Sequence, residues 1–159
     1  MADPTPTREQ ALTAVMSVLQ GGALTATLLH VENRYKSEVE ALREYQKTDG
    51  SYETEVLFVG ADVQSVEGKT FGEKYSIYKF ELRHLYTRQD DLEISRIAKF
   101  RAEKIRGLIE GNAAIFRIGS QVPLRTEETC ELRGGFVDND GSRYYESKLT
   151  FSVEARRWA

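Results

Sequence analysis

Few side chains in this sequence stand where bond-making chemistry would need them. His84 lies on the apolar side of an alternating stretch, YSIYKFELRHLY. A general base there would want a nucleophile and an orienting acid close by. No Gly-x-Ser-x-Gly or comparable nucleophile setting is present, so the plain reading is a partly buried structural histidine. Gly68-Lys69-Thr70 has the ending of a phosphate-binding loop, but the opening glycine would fall at Val63, and a strand follows instead of a helix. Asp90 and Asp91 form a carboxylate pair that helix capping accounts for fully. Asp138, Asn139 and Asp140 resemble the start of a calcium loop, yet the glycine comes too early and no closing glutamate follows. Turn chemistry suffices there.

Metal chemistry is equally poor. Cys130 is the single cysteine, which rules out an intrachain disulfide or a cysteine-rich metal site. His30 and His84 have no ligand-type spacing. The sequence thus offers no catalytic residue, no metal ligand set and no cofactor site. A net charge of −3 and a pI of 5.5 argue against a general nucleic-acid binder, which would carry a basic surplus or stripe. They leave room for a protein that DNA merely passes. No apolar run approaches the roughly 18 residues that cross a bilayer, and MADPTPTREQ lacks the basic and apolar regions of a signal peptide. Synthesis in the cytoplasm is the default expectation.

What remains are contact residues. Arg101 falls near the middle of an apolar helical arc, between Ile97 and Ile105. Either its stem runs over the core with the head in water, or it makes a salt bridge at a subunit contact. Lys69 and Phe71 lie in a glycine-containing stretch, Gln64 to Lys74, read as a loop of the kind that carries binding function. Trp158, after Arg156-Arg157, could cap the sheet or dock on a neighbour.

The elements that must position these residues follow from periodicity. Tyr78, Phe80, Leu82 and Tyr86 alternate, as in a strand with one buried face. Asp90 to Glu93 is a helix start. From there Ile94, Ile97, Ala98, Ile105, Leu108 and Ile109 share one helical arc, stopped at Gly111-Asn112. Upstream, residues 1–7 read as a flexible arm and Arg8–Gln20 as a first helix ended by Gly21-Gly22. The stripe Leu24, Leu28, Val31, Tyr35, Val39 and Leu42 predicts a second helix over Ala23–Gln46, against a competing strand over Thr25–Val31. Glu55–Val63 is apolar on both faces, as an inner strand would be. Downstream come a short strand over Ala113–Ile118 and a loop over Gly119–Glu127. A hairpin of Glu128–Val137 and Ser142–Val153 follows, turning at Asp140-Gly141. Its strands are expected to turn Cys130, Leu132 and Phe136 inward from one side and Tyr145, Leu149, Phe151 and Val153 from the other.

The expectation is one α+β domain. It has a largely antiparallel sheet of about five strands, with the long helix (90–111) and an N-terminal helical segment (8–47) on one face and the sheet over 54–159. With 159 residues, 40% of them hydrophobic, the chain suffices for one real core.

Three segments together resemble the tail terminator proteins of long-tailed bacteriophages, the lambda-like family. They are the N-terminal helix ahead of EVLFVGADVQS, the strand–turn–helix YKFELRHLYTRQDDLEISRIAKFRAEKIRGLIEG, and the hairpin GGFVDNDGSRYYESKLTFSVEARRW. They cover roughly two thirds of the chain. The departure lies in Gly21–Gly50, where the family passes from its first helix through a shorter connection into a strand. The resemblance implies a structural protein that forms a ring, usually a hexamer, on the last ring of tail-tube subunits. Such a ring stops tube polymerisation and presents a surface to the head-completion protein, while DNA passes through its lumen. It implies a virion location in the tail or neck, assembly in the host cytoplasm, no catalysis and no membrane partner. The alternatives are another neck or head–tail joining protein and, from a different class, a small ligand-binding or enzymatic α+β domain.

Overall fold

A computed structural model of the chain describes residues 8–30, 53–67, 73–88, 91–111, 123–125, 131–139 and 142–158. In chain order the elements are α1 (Arg8–Gly21), β1 (Thr27–His30), β2 (Thr54–Glu67), β3 (Glu73–Thr87), α2 (Asp91–Gly111), β4 (Pro123–Arg125), β5 (Glu131–Asn139) and β6 (Ser142–Trp158). The fold is α+β. The strands form one mixed sheet in the order β1-β2-β3-β6, with β4 and β5 both pairing with β6 on its far side. β5 takes Ser142–Thr150 of β6 and β4 takes Val153–Ala155, so these two share the fifth position across the sheet. All pairs are antiparallel except β1 with β2.

α1 buries Ala11, Leu12, Val15 and Leu19, the one stripe its spacing allows. It stops at Gly21, and the Gly22 N–H donates to the Leu19 carbonyl at 3.2 Å. Ala23 then takes a φ of 54°, a left-handed conformation unusual for a residue with a Cβ. That reversal launches β1. The second helix expected from Ala23 is therefore replaced, over Thr27–His30, by a strand in register with Val56–Val59. A ladder with an apolar strand outweighs a weak helical stripe containing Thr25 and Thr27. Residues 31–46 of that expectation lie outside the described residues, as do Ala113–Ile118, Cys130, Asp90 and the Asp140-Gly141 turn.

Other boundaries also shift. β2 and β3 run on through most of the expected loop, to Glu67 and from Glu73. Val63 to Glu67 keep pairing with Tyr78 to Lys74, which extends both strands past the apolar positions that made them visible in sequence. Pro123–Arg125, expected as loop, is a short strand on the outer side of β6. That edge is where a residue without an N–H is tolerated.

Side-chain parity builds the core. On the helix-covered face stand Leu57 and Val59 from β2, Tyr78, Phe80 and Leu82 from β3, and Leu149 and Phe151 from β6. They pack with Ala11, Leu12, Val15 and Leu19 of α1 and Ile105 and Ile109 of α2. Phe80 and Phe151 sit directly opposite and stack, with centroids 5.0 Å apart. Towards the Thr87 end of β3, Tyr86, Ile94, Ala98 and Tyr145 form an adjoining cluster. On the opposite face Val56, Phe58, Leu85 and Tyr144 are buried, with the Arg83 guanidinium 5.6 Å above the Phe58 ring and 2.7 Å from Glu146. Phe136, expected to face inward, is on the helix side but 42% exposed, because it lies at the sheet margin.

Candidate functional site

Between the two apolar clusters of the helix-covered face lies a group of ionisable side chains. Cross-strand register creates it. Glu55 is opposite Tyr86, and Leu57 is opposite His84, so Glu55, His84 and Tyr86 share one face at neighbouring positions. His84 is opposite Ser147 of β6, which is also buried. Glu53 stands two residues before Glu55. From above, α2 points Arg101 down, since its position falls one turn from both Ile97 and Ile105.

The contacts are continuous. The Glu55 Oε2 is 2.7 Å from His84 Nε2, and its Oε1 accepts from Arg101 Nη1 at 2.8 Å. The same Nη1 donates to Glu53 Oε1 at 3.1 Å, and the Tyr86 hydroxyl donates to Glu53 Oε2 at 2.9 Å. The Arg101 guanidinium also lies 4.8 Å from the centre of the Tyr86 ring. Glu55 and His84 are sealed from solvent. Because Glu55 accepts, the imidazole proton on that side belongs to Nε2. Nδ1 is buried and has no hydrogen-bond partner among the described residues.

Electrostatics follow from this geometry. Burial pushes the Glu55 carboxyl up, but hydrogen bonds from His84 and Thr25 and the charge of Arg101 outweigh it and hold the group below its ordinary range. For Arg101, burial works against the charge, and Glu55 and Glu53 more than offset it. The Tyr86 hydroxyl is pushed up to about 12, first by burial and then by its bond to the Glu53 carboxylate.

The group opens on one side. Glu55 and Arg101, with Leu24, Thr25, Ala26, Phe100, Lys104 and Ile105, line a cavity of about 250 Å³ between α2 and the chain entering β1. Phe100 stands at its mouth, 75% exposed, and the Lys104 amine donates to the Ala23 carbonyl at 3.2 Å. A ligand there would meet an apolar wall and the cations of Arg101 and Lys104, with the Glu55 carboxyl covered behind Arg101. It would not reach His84, so the histidine cannot act on it directly.

Of the residues singled out in sequence, the structure brings Arg101 and His84 to this place. The Arg101 side chain is 23% exposed and bonded within its own chain. Lys69 and Phe71 lie outside the described residues. Trp158 ends β6 opposite Glu73, far along the ribbon from Arg101. Among the described residues no group of three or more His, Cys, Asp or Glu is arranged to hold a metal ion, and no helix is long and apolar enough to cross a membrane. Sequence reading missed Glu55 and Glu53. No protein-family model matches the chain, and a search of curated proteins finds no match either.

Proposed function

We propose that this chain is a ring-forming structural protein of the phage tail terminator kind. It caps the tail tube, stops its polymerisation and joins tail to neck, acting by assembly and not by catalysis. The observation that carries the reading is a sheet that, among the described residues, ends in two unlike strands with no outer neighbour. β5 has no outer neighbour among the described strands, and its central Gly134 and Gly135 are exposed, which means exposed backbone. At the other margin, β1 pairs with Val56–Val59, and among the described residues the edge of Gly60–Glu67 that faces away from β3 has no strand beside it. Unpaired edges invite association, and two unlike edges on opposite sides favour head-to-tail addition, which gives a ring when the rotation closes.

Two further features agree. β3 has 15 residues, so it spans roughly 50 Å. A compact chain of this length has a radius of gyration of about 15 Å and a width near 40 Å. The ribbon of β2, β3 and β6 therefore carries its distal end past the core. β1 also follows α1 after a short connection, as expected of that family, while residues 31–50 of the departing segment lie outside the described residues.

In this reading the partners are further copies, six being the expected number, the tail-tube protein and the head-completion protein. DNA passes through the lumen, and the assembly belongs to the virion neck after formation in the host cytoplasm. Lys69, Phe71, Arg101 and Trp158 remain the sequence-derived interface candidates. Native mass of the purified chain, alone and with tail tubes, is the test: a closed oligomer that binds tube ends is expected. Binding to portal or adaptor protein instead would make it a different neck protein. A monomer under both conditions would refute ring formation. The cavity beside Glu55 and Arg101 favours a second reading, a small ligand-binding or enzymatic domain, in which a bound small molecule would appear in the native spectrum.

A further inference from the structure

Phe100 and Phe136 are the large hydrophobic side chains exposed among the described residues. They lie at opposite margins of one layer. Phe100 marks the mouth of the cavity on the β1 side, while Phe136 projects from β5 on the same face of the sheet. Four strand spacings separate those margins, about 19 Å. Phe136 is also rigidly held. The Arg143 guanidinium lies 3.8 Å from its ring centre, and the Tyr145 ring meets it edge-on at 5.2 Å. Tyr145 in turn fills the space over Gly134, where a Cβ would come within 2.5 Å of its hydroxyl.

The cavity suits such a knob. At about 250 Å³ it is below the ~300–1,000 Å³ of most small-molecule pockets. A dry cavity of ~150 Å³ already accepts benzene, so a phenylalanine side chain fits with room for its stem. Leu24, Ala26, Phe100 and Ile105 supply apolar walls. Charge also matches. Asp138 and Arg143 stand opposite one another beside Phe136, and Lys104 lines the cavity and is exposed. A docked copy can set Asp138 against Lys104.

We propose that the cavity beneath Phe100 receives Phe136 of a second copy of this chain, in a head-to-tail contact. The proposal rests on the ring reading and names the contact that propagates it. Knob and socket occupy different surfaces of each subunit, so every copy offers one of each and the contact repeats.

Native mass spectrometry of three proteins tests it, with circular dichroism as the folding control. The wild-type chain should form the closed oligomer. Phe136→Asp removes the knob and Ala26→Trp fills the socket. Each should be a folded monomer, with the dissociation constant raised about thirtyfold or more, the loss typical of a buried aromatic anchor. Mixed one to one, they should give a heterodimer and nothing larger, because a single intact contact remains. Should Ala26→Trp unfold, Lys104→Glu replaces it, with assembly restored by Asp138→Lys in the same chain. Wild-type mass retained by Phe136→Asp, no heterodimer in the mixture, or a small molecule held in the cavity would each overturn this contact while the ring stood. A wild-type chain that stays monomeric at high concentration and with tail tubes would overturn both.

Discussion

The helix-covered face carries two buried regions built on opposite principles. At its centre Phe80, Leu82, Leu149, Phe151, Ile105 and Ile109 remove hydrocarbon from water, and each contributes by area. A few ångströms along the same strands, Glu55, His84, Tyr86 and Arg101 bury ionisable groups, which burial by itself disfavours. The difference lies in tolerance to loss. An apolar residue removed leaves a hole. A member of the ionic group removed leaves its partners charged and unpaired. Such a group is expected to add little net stability, while a slip of register or helix would separate Glu55 from both His84 and Arg101.

The sharpest way to break this contrast is Glu55→Ala. It should cost about 3–5 kcal/mol, a fall in Tm of roughly 10 °C for a chain this size. Leu82→Ala in the apolar centre should cost about 2–5 kcal/mol. Urea titrations of the two would contradict the contrast if the glutamate variant proved the milder. Replacing the group as a unit, with Glu53→Gln, Glu55→Leu, His84→Leu and Arg101→Met together, should return stability to within about 1 kcal/mol of wild type or above it. A loss equal to that of Glu55→Ala would mean that the ionic contacts are net stabilising.

Titration sharpens the comparison further. The carboxyl of Glu55 is lowered by folding from an ordinary value of 4.5. Its contribution is therefore present above that pH and is lost as pH falls through the folded value. Tyr86 is raised, from 10.0 to about 12. Its contribution is complete below pH 10 and is lost as pH rises towards 12. Tyr86→Phe should abolish that alkaline loss in thermal melts while leaving the acid limb in place. The smallest effect is expected at Ala23→Gly, where glycine relieves the positive φ at some cost in chain entropy. A gain of up to about 1 kcal/mol is expected, and a loss would show that the Ala23 methyl is needed.

Period told most of the architecture. The alternation of Tyr78, Phe80, Leu82 and Tyr86 and the arc from Ile94 to Ile109 gave β3 and α2 nearly to the residue. Four-residue β1 was legible only as the competing strand over Thr25–Val31, because a ladder partner decides it and not its own spacing. The ends of β2 and β6 were hidden because Gln64–Glu67 and Glu154–Trp158 carry no apolar alternation. Glu55 escaped notice as the first letter of an apolar run, with partners 29 and 46 positions away. One signal was available. Parity puts Glu55 with Leu57 and Val59, and both His84 and Arg101 were already on apolar faces. Three ionisable residues at core positions require one another.

β6 is last of the strands in chain order, yet it binds β3 on one side and β4 and β5 on the other. Until residues 142–158 leave the ribosome, those three strands lack their common neighbour. At ~5–20 residues per second, a nascent chain spends seconds holding β3 with an open flank. Completion of this sheet is thus a late, long-range event, of the kind that slows folding, and a polypeptide stalled near position 140 would be a substrate for chaperones.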